Sequence, residues 1–252
     1  MELIPIKTKR IEQGDDLVSC LSEAKNLNED ILVISSKVIS ISEGNVIDLS
    51  QIKVSDEAKK LSKTSGRSET FAQAVLDECT QKNGHVLSTC PGLPTEAPSR
   101  SFRNIHKILK RGADNERTKV GAIVTELRPD GMNTGTIITA NAGLDESNIQ
   151  KGFAVGWPKD PAASAKLLRE KLNVGAVLIS DSTVTPRREG VTAFALAVSG
   201  LDPVRDDTNT SDLFGKKLQI THEAIADQLA TAANMVMGNG NQSIPAVLIR
   251  KH

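Results

Sequence analysis

The chain has 252 residues, enough for one large folding unit or two smaller interlocked ones around a real core. Its 31 basic residues balance 31 acidic ones, so no overall charge draws it to nucleic acid or an anionic membrane, and only a local basic pocket is left open. With one Trp, five Phe and no Tyr, the core rests on aliphatic side chains, and stacking platforms for single-stranded nucleic acid are scarce.

Three cysteines, Cys20, Cys79 and Cys90, form no CxxC pair, and an odd count argues against a disulfide framework. No apolar run approaches the ~20 residues needed to span a bilayer. The opening "MELIPIKTKR" lacks an apolar signal core, so a reduced, cytoplasmic protein is the expectation.

In chain order, "GDDLVSCLSEAKNL" predicts a helix with Leu17, Leu21, Ala24 and Leu27 on one face and Asp15 and Asp16 at its amino end. "DILVISSKVIS" reads as a buried strand, and Glu43-Gly44 as a turn. "SDEAKKLSKTSG" predicts a helix capped by Ser55 and stopped near Gly66, and "SETFAQAVLDEC" a second one with Phe71, Ala74, Val75 and Cys79 on one face. Residues 80–118 change character, with Pro91, Pro94 and Pro98 close together and a basic "KILKRG" after them. They predict a long loop or lid with a helical turn at 105–109, a class of segment that is usually functional or disordered.

"KVGAIVTELRP" and "TGTIITA" predict a hairpin through "DGMNTG". "DPAASAKLLREKLN" is a helix with Asp160 as cap and Pro161 in its first turn. "VGAVLISDS" and "FALAVSGL" are strands, "THEAIADQLATAANMVMG" is an amphipathic helix from Thr221 to a stop at Gly238, and "IPAVLIRKH" is a terminal strand. Strands and helices mixed in this way imply an α/β or α+β protein.

Two strand ends carry oxygen-bearing side chains: "ANAGLDESN" at 140–148 and "ISDS" at 179–182. Ligands gather beyond the carboxyl ends of strands in α/β proteins. If the two ends are neighbours, Asp145 and Asp181 converge on a hard cation such as magnesium or manganese. The competing reading is that both are ordinary turn or cap residues, a common use of Asp. The loop "MGNGNQSIP" at 237–245 offers backbone amides to a nucleotide, although a helix C-cap at Gly238 explains it equally simply. Neither a GxxxxGK[ST] loop nor a GxGxxG fingerprint is present. His222 reads as a helix-start residue, and His85, His106 and His252 lack metal-ligand spacing.

Taken together, "GDDL", "DILVISSKVISISEG", "ANAGLDESN", "PKDPAASAKLLR", "ISDS", "LFGKKLQITHEAIADQLATAANMVMG" and "IPAVLIR", in that order, resemble the coenzyme F420-0:γ-glutamyl ligase family. The resemblance covers residues 1–252 as a single domain, with 80–118 as an insertion. It implies a mixed α+β fold of two interlocked subdomains with mixed sheets, assembled as a homodimer. It also implies a GTP-dependent acid–amino-acid ligase that activates a carboxylate of a deazaflavin precursor as an acyl phosphate, which the amine of L-glutamate then attacks. GTP would be the co-substrate, with ATP open as an alternative, and Mg2+ or Mn2+ the metal, with K+ as a further cation. Neither nucleic acid nor membrane is an expected partner.

Carried over by position, the resemblance makes Asp145 and Asp181 metal ligands. It puts Ser182 where the family has a metal-linked threonine, and Asn239 where it has a metal-binding acidic or amide side chain. Thr8, Lys9, Arg10, Ile11, Ser36, Lys37, Asn148, Met237, Gly238, Gly240 and Asn241 fall in nucleotide-contacting segments. The chain also departs from the pattern: Ile41 replaces a lysine, Val184 and Thr185 replace a glycine and an arginine, and Asn209-Thr210 replaces "RG". Such groups hold phosphate or carboxylate. Three readings follow: a divergent ligase with a different acceptor or with altered contacts to the same deazaflavin, a non-catalytic paralogue that binds a nucleotide or a protein partner, or a protein-interaction module using the 80–118 insertion, the last disfavoured by the intact "ANAGLDESN".

Overall fold

The structure, a computed structural model, describes residues 1–90, 122–127, 137–184, 191–208 and 210–250. The prolines after Cys90, the helical turn and basic run expected beyond them, the "DGMNTG" turn, His106, Thr185, Asn209 and His252 lie outside the described residues. The fold is mixed, with several sheets and helices, as the sequence implies. Two compact units divide the chain: Met1–Val38, Pro161–Asp181 and Ala193–His252 in the first, Ile39–Asp160 and Ser182–Thr192 in the second.

The first unit is built on a five-stranded sheet. It contains β1 (Glu2–Ile6), β2 (Ile31–Ser35), β8 (Ala176–Val184), β9 (Val191–Ser199) and β12 (Ala246–Arg250), in the order β1-β12-β2-β8-β9. β12 runs antiparallel to both β1 and β2, whereas β2 and β8 are parallel. Strand alternation sends Ile31 and Val33, Ala176 and Leu178, and Val247 and Ile249 into one core with Ala226, Leu229, Ala230, Ala233 and Met237 of the long helix near the carboxyl terminus. Leu32, Ile34, Val177 and Ile179 point the other way and are also buried. Burial on both faces explains why these strands read as continuous apolar runs.

Three sequence expectations for this unit change. The helix expected over 17–27 is one turn, α1 (Leu17–Cys20), followed by a 3-10 turn at Ser22–Ala24. Leu17, Leu21 and Ala24 are buried as the spacing requires, but the helix gives way after Cys20, Lys25 is extended (φ −74, ψ 138) and Asn26 has φ 62. The strand expected through residue 40 stops at Ser35 and turns at once into α2 (Ser36–Ser42). The ladder runs out there because the next residue of the β12 segment is Pro245, which accepts from the Ser35 amide (2.9 Å) but has no N–H to return. The amphipathic helix begins at Ile225, not Thr221: His222 and Glu223 form β11, paired with β10 (Arg205–Asp206). His222 is thus a strand residue, with Nε2 3.6 Å from Asp206. That helix is Ile225–Met237, and Pro161–Leu172 forms another long helix of the unit, starting at the proline as expected.

Among the described residues, the second unit holds two short sheets and the helices α3 and α4. β3 (Val46–Asp48) pairs with β7 (Phe153–Val155), and β4 (His85–Cys90), β5 (Ala122–Leu127) and β6 (Ile137–Ala140) form an antiparallel three-stranded sheet. The β5–β6 pairing is the expected one; β4 occupies the start of the stretch read as a loop or lid. α3 (Asp56–Ser65) is capped by Ser55, whose side chain accepts from Ala58 N (3.2 Å), and stops at Gly66. α4 (Glu69–Gln81) is capped by Ser68 through Phe71 N (3.2 Å) and buries Phe71, Ala74, Val75 and Cys79 on the predicted face.

Candidate functional site

Within the first unit, register alone gathers several of the candidate segments. Ile6 lies opposite Ala246, Ala246 opposite Ile34, and Ile34 beside Ile179, so the continuations of all four strands past this register lie at one end of the sheet, where three leave it and β8 runs on to Val184. Those continuations are Thr8, Ser243 to Pro245, Ser36 and Asp181. The Thr8 amide donates to the Ser243 carbonyl (3.1 Å), which ties the amino-terminal segment to the loop after the last helix. This is the carboxyl end of the parallel pair β2 and β8, where polar groups are set down for ligands.

The side chains at that end differ in what they can offer. Ser36 is buried at the first position of α2, and Lys37 beside it is half-buried. Ile11 is buried and anchors its segment, while Arg10 is exposed. Lys9 donates to Asp15 (2.8 Å), and Asp15 also accepts from the Glu12 amide (2.8 Å). The ion pair raises the Lys9 ammonium above its usual value and lowers the Asp15 carboxyl below it. An open groove of about 460 Å³ lies over this segment, lined by Lys7, Thr8, Lys9, Asp15, Asp16, Ser19 and Cys20.

The loop after the last helix is a compact turn rather than a strap. Gly238 caps the helix with φ 68 and ψ 179, a conformation almost restricted to glycine, and its amide donates to the Asn234 carbonyl (2.9 Å). Gln242 folds back so that its Oε1 accepts from Gly240 N (2.8 Å), and a Cβ at Gly238 would collide with the Gln242 amide. Asn239, Gly240 and Asn241 are exposed, whereas the Met237 side chain belongs to the core, leaving only its backbone for a ligand. The simple C-cap reading of the sequence is correct locally. What the sequence does not show is that Thr8 and Ser36 share its end of the sheet.

Asp181 follows Ser180 on β8 and is half-buried; Ser182 is exposed and, as the next strand residue, points to the opposite face.

Asp145 belongs to the second unit, in a turn that is heavily determined. After β6 the residues Asn141, Ala142 and Gly143 all have positive φ (54, 55 and 77). Asn141 Oδ1 accepts from Ile123 N (3.0 Å), and the Ala142 amide donates to the Thr125 hydroxyl (3.0 Å), which donates in turn to the Thr139 carbonyl (3.0 Å). Gly143 lies flat against the Trp157 ring, where no side chain fits. The chain then pairs Asp145 with Val155 through both backbone bonds (2.9 Å each). The Asp145 carboxylate accepts from Ser147 N and Oγ, each at 2.7 Å, and Asn148 closes the turn at φ 51. The sequence offers a turn or a site; the local form is an Asx turn in which Ser147 bonds both oxygens of the Asp145 carboxylate.

A residue that sequence reasoning missed sits beside it. Arg67, just past the end of α3, donates to Glu146 (2.8 Å) and lies over the Phe71 ring, 3.9 Å from its centroid. Burial lowers the guanidinium pKa, while Glu146 and Asp145 act to raise it. The only local signal is a "GRS" connector between two helices; the partner is 79 positions away.

Other groups are poor reactive centres. Burial pushes the Cys79 thiol up to about 11, so it is no nucleophile near neutral pH. Among the described residues no group of three or more His, Cys, Asp or Glu side chains is arranged for a metal. Nor, among them, is any helix long and apolar enough to cross a membrane.

A sequence profile described as F420-0:Gamma-glutamyl ligase matches residues 5–251. The chain is 34% identical over 248 residues to the coenzyme F420:L-glutamate ligase of Methanothermobacter thermautotrophicus, covering 94% of this chain and 83% of that protein. It is 33% identical over 256 residues to the protein of the same name from Methanopyrus kandleri, covering 99% and 86%. With that of Methanocaldococcus jannaschii it shares 36% over 229 residues, covering 88% and 75%. On this breadth of match, the chain belongs to the F420-0:Gamma-glutamyl ligase family.

Proposed function

We propose that the protein is a nucleotide- and divalent-metal-dependent ligase joining L-glutamate to the carboxylate of coenzyme F420-0 or a closely related acceptor. Supporting this is the shared sheet end of Thr8, Ser36, Asp181 and the 237–245 loop, in a chain whose relatives are named coenzyme F420:L-glutamate ligases. In the proposed reaction an acceptor carboxylate oxygen attacks the γ-phosphorus of GTP, and GDP leaves. The glutamate α-amine then attacks the acyl carbon, loses its proton and expels phosphate, giving the amide.

The acceptor carboxylate and the GTP phosphates are all negatively charged, so in the phosphoryl-transfer step the protein's task is chiefly to position and neutralise. The exposed amide side chain of Asn241 and the hydroxyl of Ser36, which opens α2 at the end of β2, are the proposed phosphate contacts, while the Gly238 and Gly240 amides hold the turn itself. Asp181 and Asn239, with Ser182 next to Asp181 in the chain, are proposed cation ligands, and Asp145 is a proposed cation ligand in its own turn. Carboxylate, hydroxyl and amide oxygens are the donor chemistry of Mg2+ or Mn2+, and the Ser147 bonds hold the Asp145 carboxylate in one orientation. When bound, such a cation neutralises phosphate charge. Incubating the protein with GTP, Mn2+, L-glutamate and F420-0 should yield GDP, phosphate and the glutamyl amide in equal amounts. An absence of nucleotide binding would sink the proposal.

Lys9 supports a second reading, a nucleotide-binding paralogue without ligase activity. Its ammonium is already paired with Asp15, and Ile41 brings no charge in place of the lysine its position implied. GTP binding by calorimetry without amide formation on any deazaflavin acceptor would favour that reading.

A homodimer is part of the main proposal. Leu213 and Phe214 are fully exposed at the tip of a turn closed by Asp212, which accepts from Phe214 N and Lys216 N (2.9 Å each). Adjacent apolar side chains held out rigidly in this way suit a protein contact.

A further inference from the structure

Glu146 stands next to Asp145 in the turn and is itself a carboxylate able to take a cation. Arg67 occupies it: Nη2 lies 2.8 Å from Glu146 Oε2, and the guanidinium rests on the fully buried Phe71 ring. The arginine backbone is fixed as well, its carbonyl accepting from Ser62 Oγ (2.7 Å) and its amide donating to Ser65 Oγ (3.3 Å). Its side chain is only 12% exposed, so this is a braced pair and not a fluctuating surface contact. Arg67 brings one positive charge against the two negative charges of Asp145 and Glu146.

We propose that Arg67 is a positioning and charge-setting residue: by engaging Glu146 it leaves the 144–148 turn with a net single negative charge and sets its preference among divalent cations. The inference rests on the proposed role of Asp145 as a cation ligand. Mg2+ and Mn2+ are content with one or two carboxylates and bound water, whereas Ca2+ takes six to eight oxygens in flexible geometry. A second available carboxylate on an exposed turn therefore favours Ca2+ disproportionately.

The test is to measure Mn2+ and Ca2+ binding separately by calorimetry, each metal alone, on the full-length chain. Wild type is compared with Asp145→Ala, Arg67→Lys, Arg67→Ala and the double variant Arg67→Ala with Glu146→Gln; circular dichroism checks that each is folded. Arg67→Ala should tighten Ca2+ binding roughly tenfold, the scale of an unmasked unit charge at close range, and lower the Mn2+/Ca2+ preference. Arg67→Lys should stay near wild type, and Glu146→Gln should restore the preference in the double variant, which mere loosening of the Phe71 contact would not allow. An unchanged preference in Arg67→Ala, or a change that persists in the double variant, overturns the assignment while leaving the ligase reading intact. Mn2+ binding undiminished by Asp145→Ala removes the cation role of the turn and this inference with it.

Discussion

The Thr8 amide and the Ser243 carbonyl, 3.1 Å apart, join two segments separated by nearly the whole chain. The bond extends the β1–β12 ladder past Ile6 and Ala246 and sets the amino-terminal segment beside the turn that follows the last helix. The conformation of that turn bears directly on the proposed nucleotide site, and Gly238 is its hinge.

Gly238→Ala should cost about 1–3 kcal/mol, since alanine pays for the φ 68, ψ 179 conformation and its Cβ meets the Gln242 side chain. Thermal unfolding should register the loss, and GTP affinity should fall with it. Gln242→Gly in the same background should recover the part owed to the collision but not the part owed to the backbone.

Cys79 gives a pH signature. Burial raises its folded pKa from 9.0 to about 11, so the neutral thiol is favoured in the folded state. Its contribution to stability is fully present below the unfolded value and is lost as pH rises from 9.0 through about 11. Denaturant midpoints measured across that window should decline in wild type and decline less in Cys79→Ala. Thiol reagents near neutral pH should leave Cys79 unmodified until the chain unfolds.

Leu213→Asp with Phe214→Asp should convert a dimer to a monomer in light scattering. The monomer should keep its fold, because both side chains are fully exposed and contribute nothing to the core of the chain that carries them. A wild-type monomer would contradict the proposed assembly.

The sequence disclosed most where local rules act alone. Ser55 and Ser68 cap the helices they precede, Pro161 opens another, and the strands buried on both faces read as apolar runs. It misled where a non-local partner decides. β2 ends at Ser35 because Pro245 arrives opposite, which the β-branched run Val38, Ile39 and Ile41 hides. His222 joins a ladder with Asp206 although its segment carries helical spacing from Ile225 onward. At the candidate site, the polar composition of residues 140–148 was visible, but not the three positive-φ residues and the Trp157 ring that shape the turn. Arg67 was invisible for the same reason: a lone arginine in a connector acquires meaning only from a carboxylate 79 positions away.

The most direct measurement is amide formation from F420-0, L-glutamate and GTP with Mn2+ supplied and then removed by chelator, in wild type, Asp145→Ala and Asp181→Ala. The expected result is equal yields of GDP and glutamyl amide in wild type, none after chelation, and a loss in kcat of roughly a hundredfold or more in each variant, the scale of removing charge stabilisation from a phosphoryl transfer. Activity that survives both substitutions, or a wild-type protein that binds no nucleotide, would contradict it.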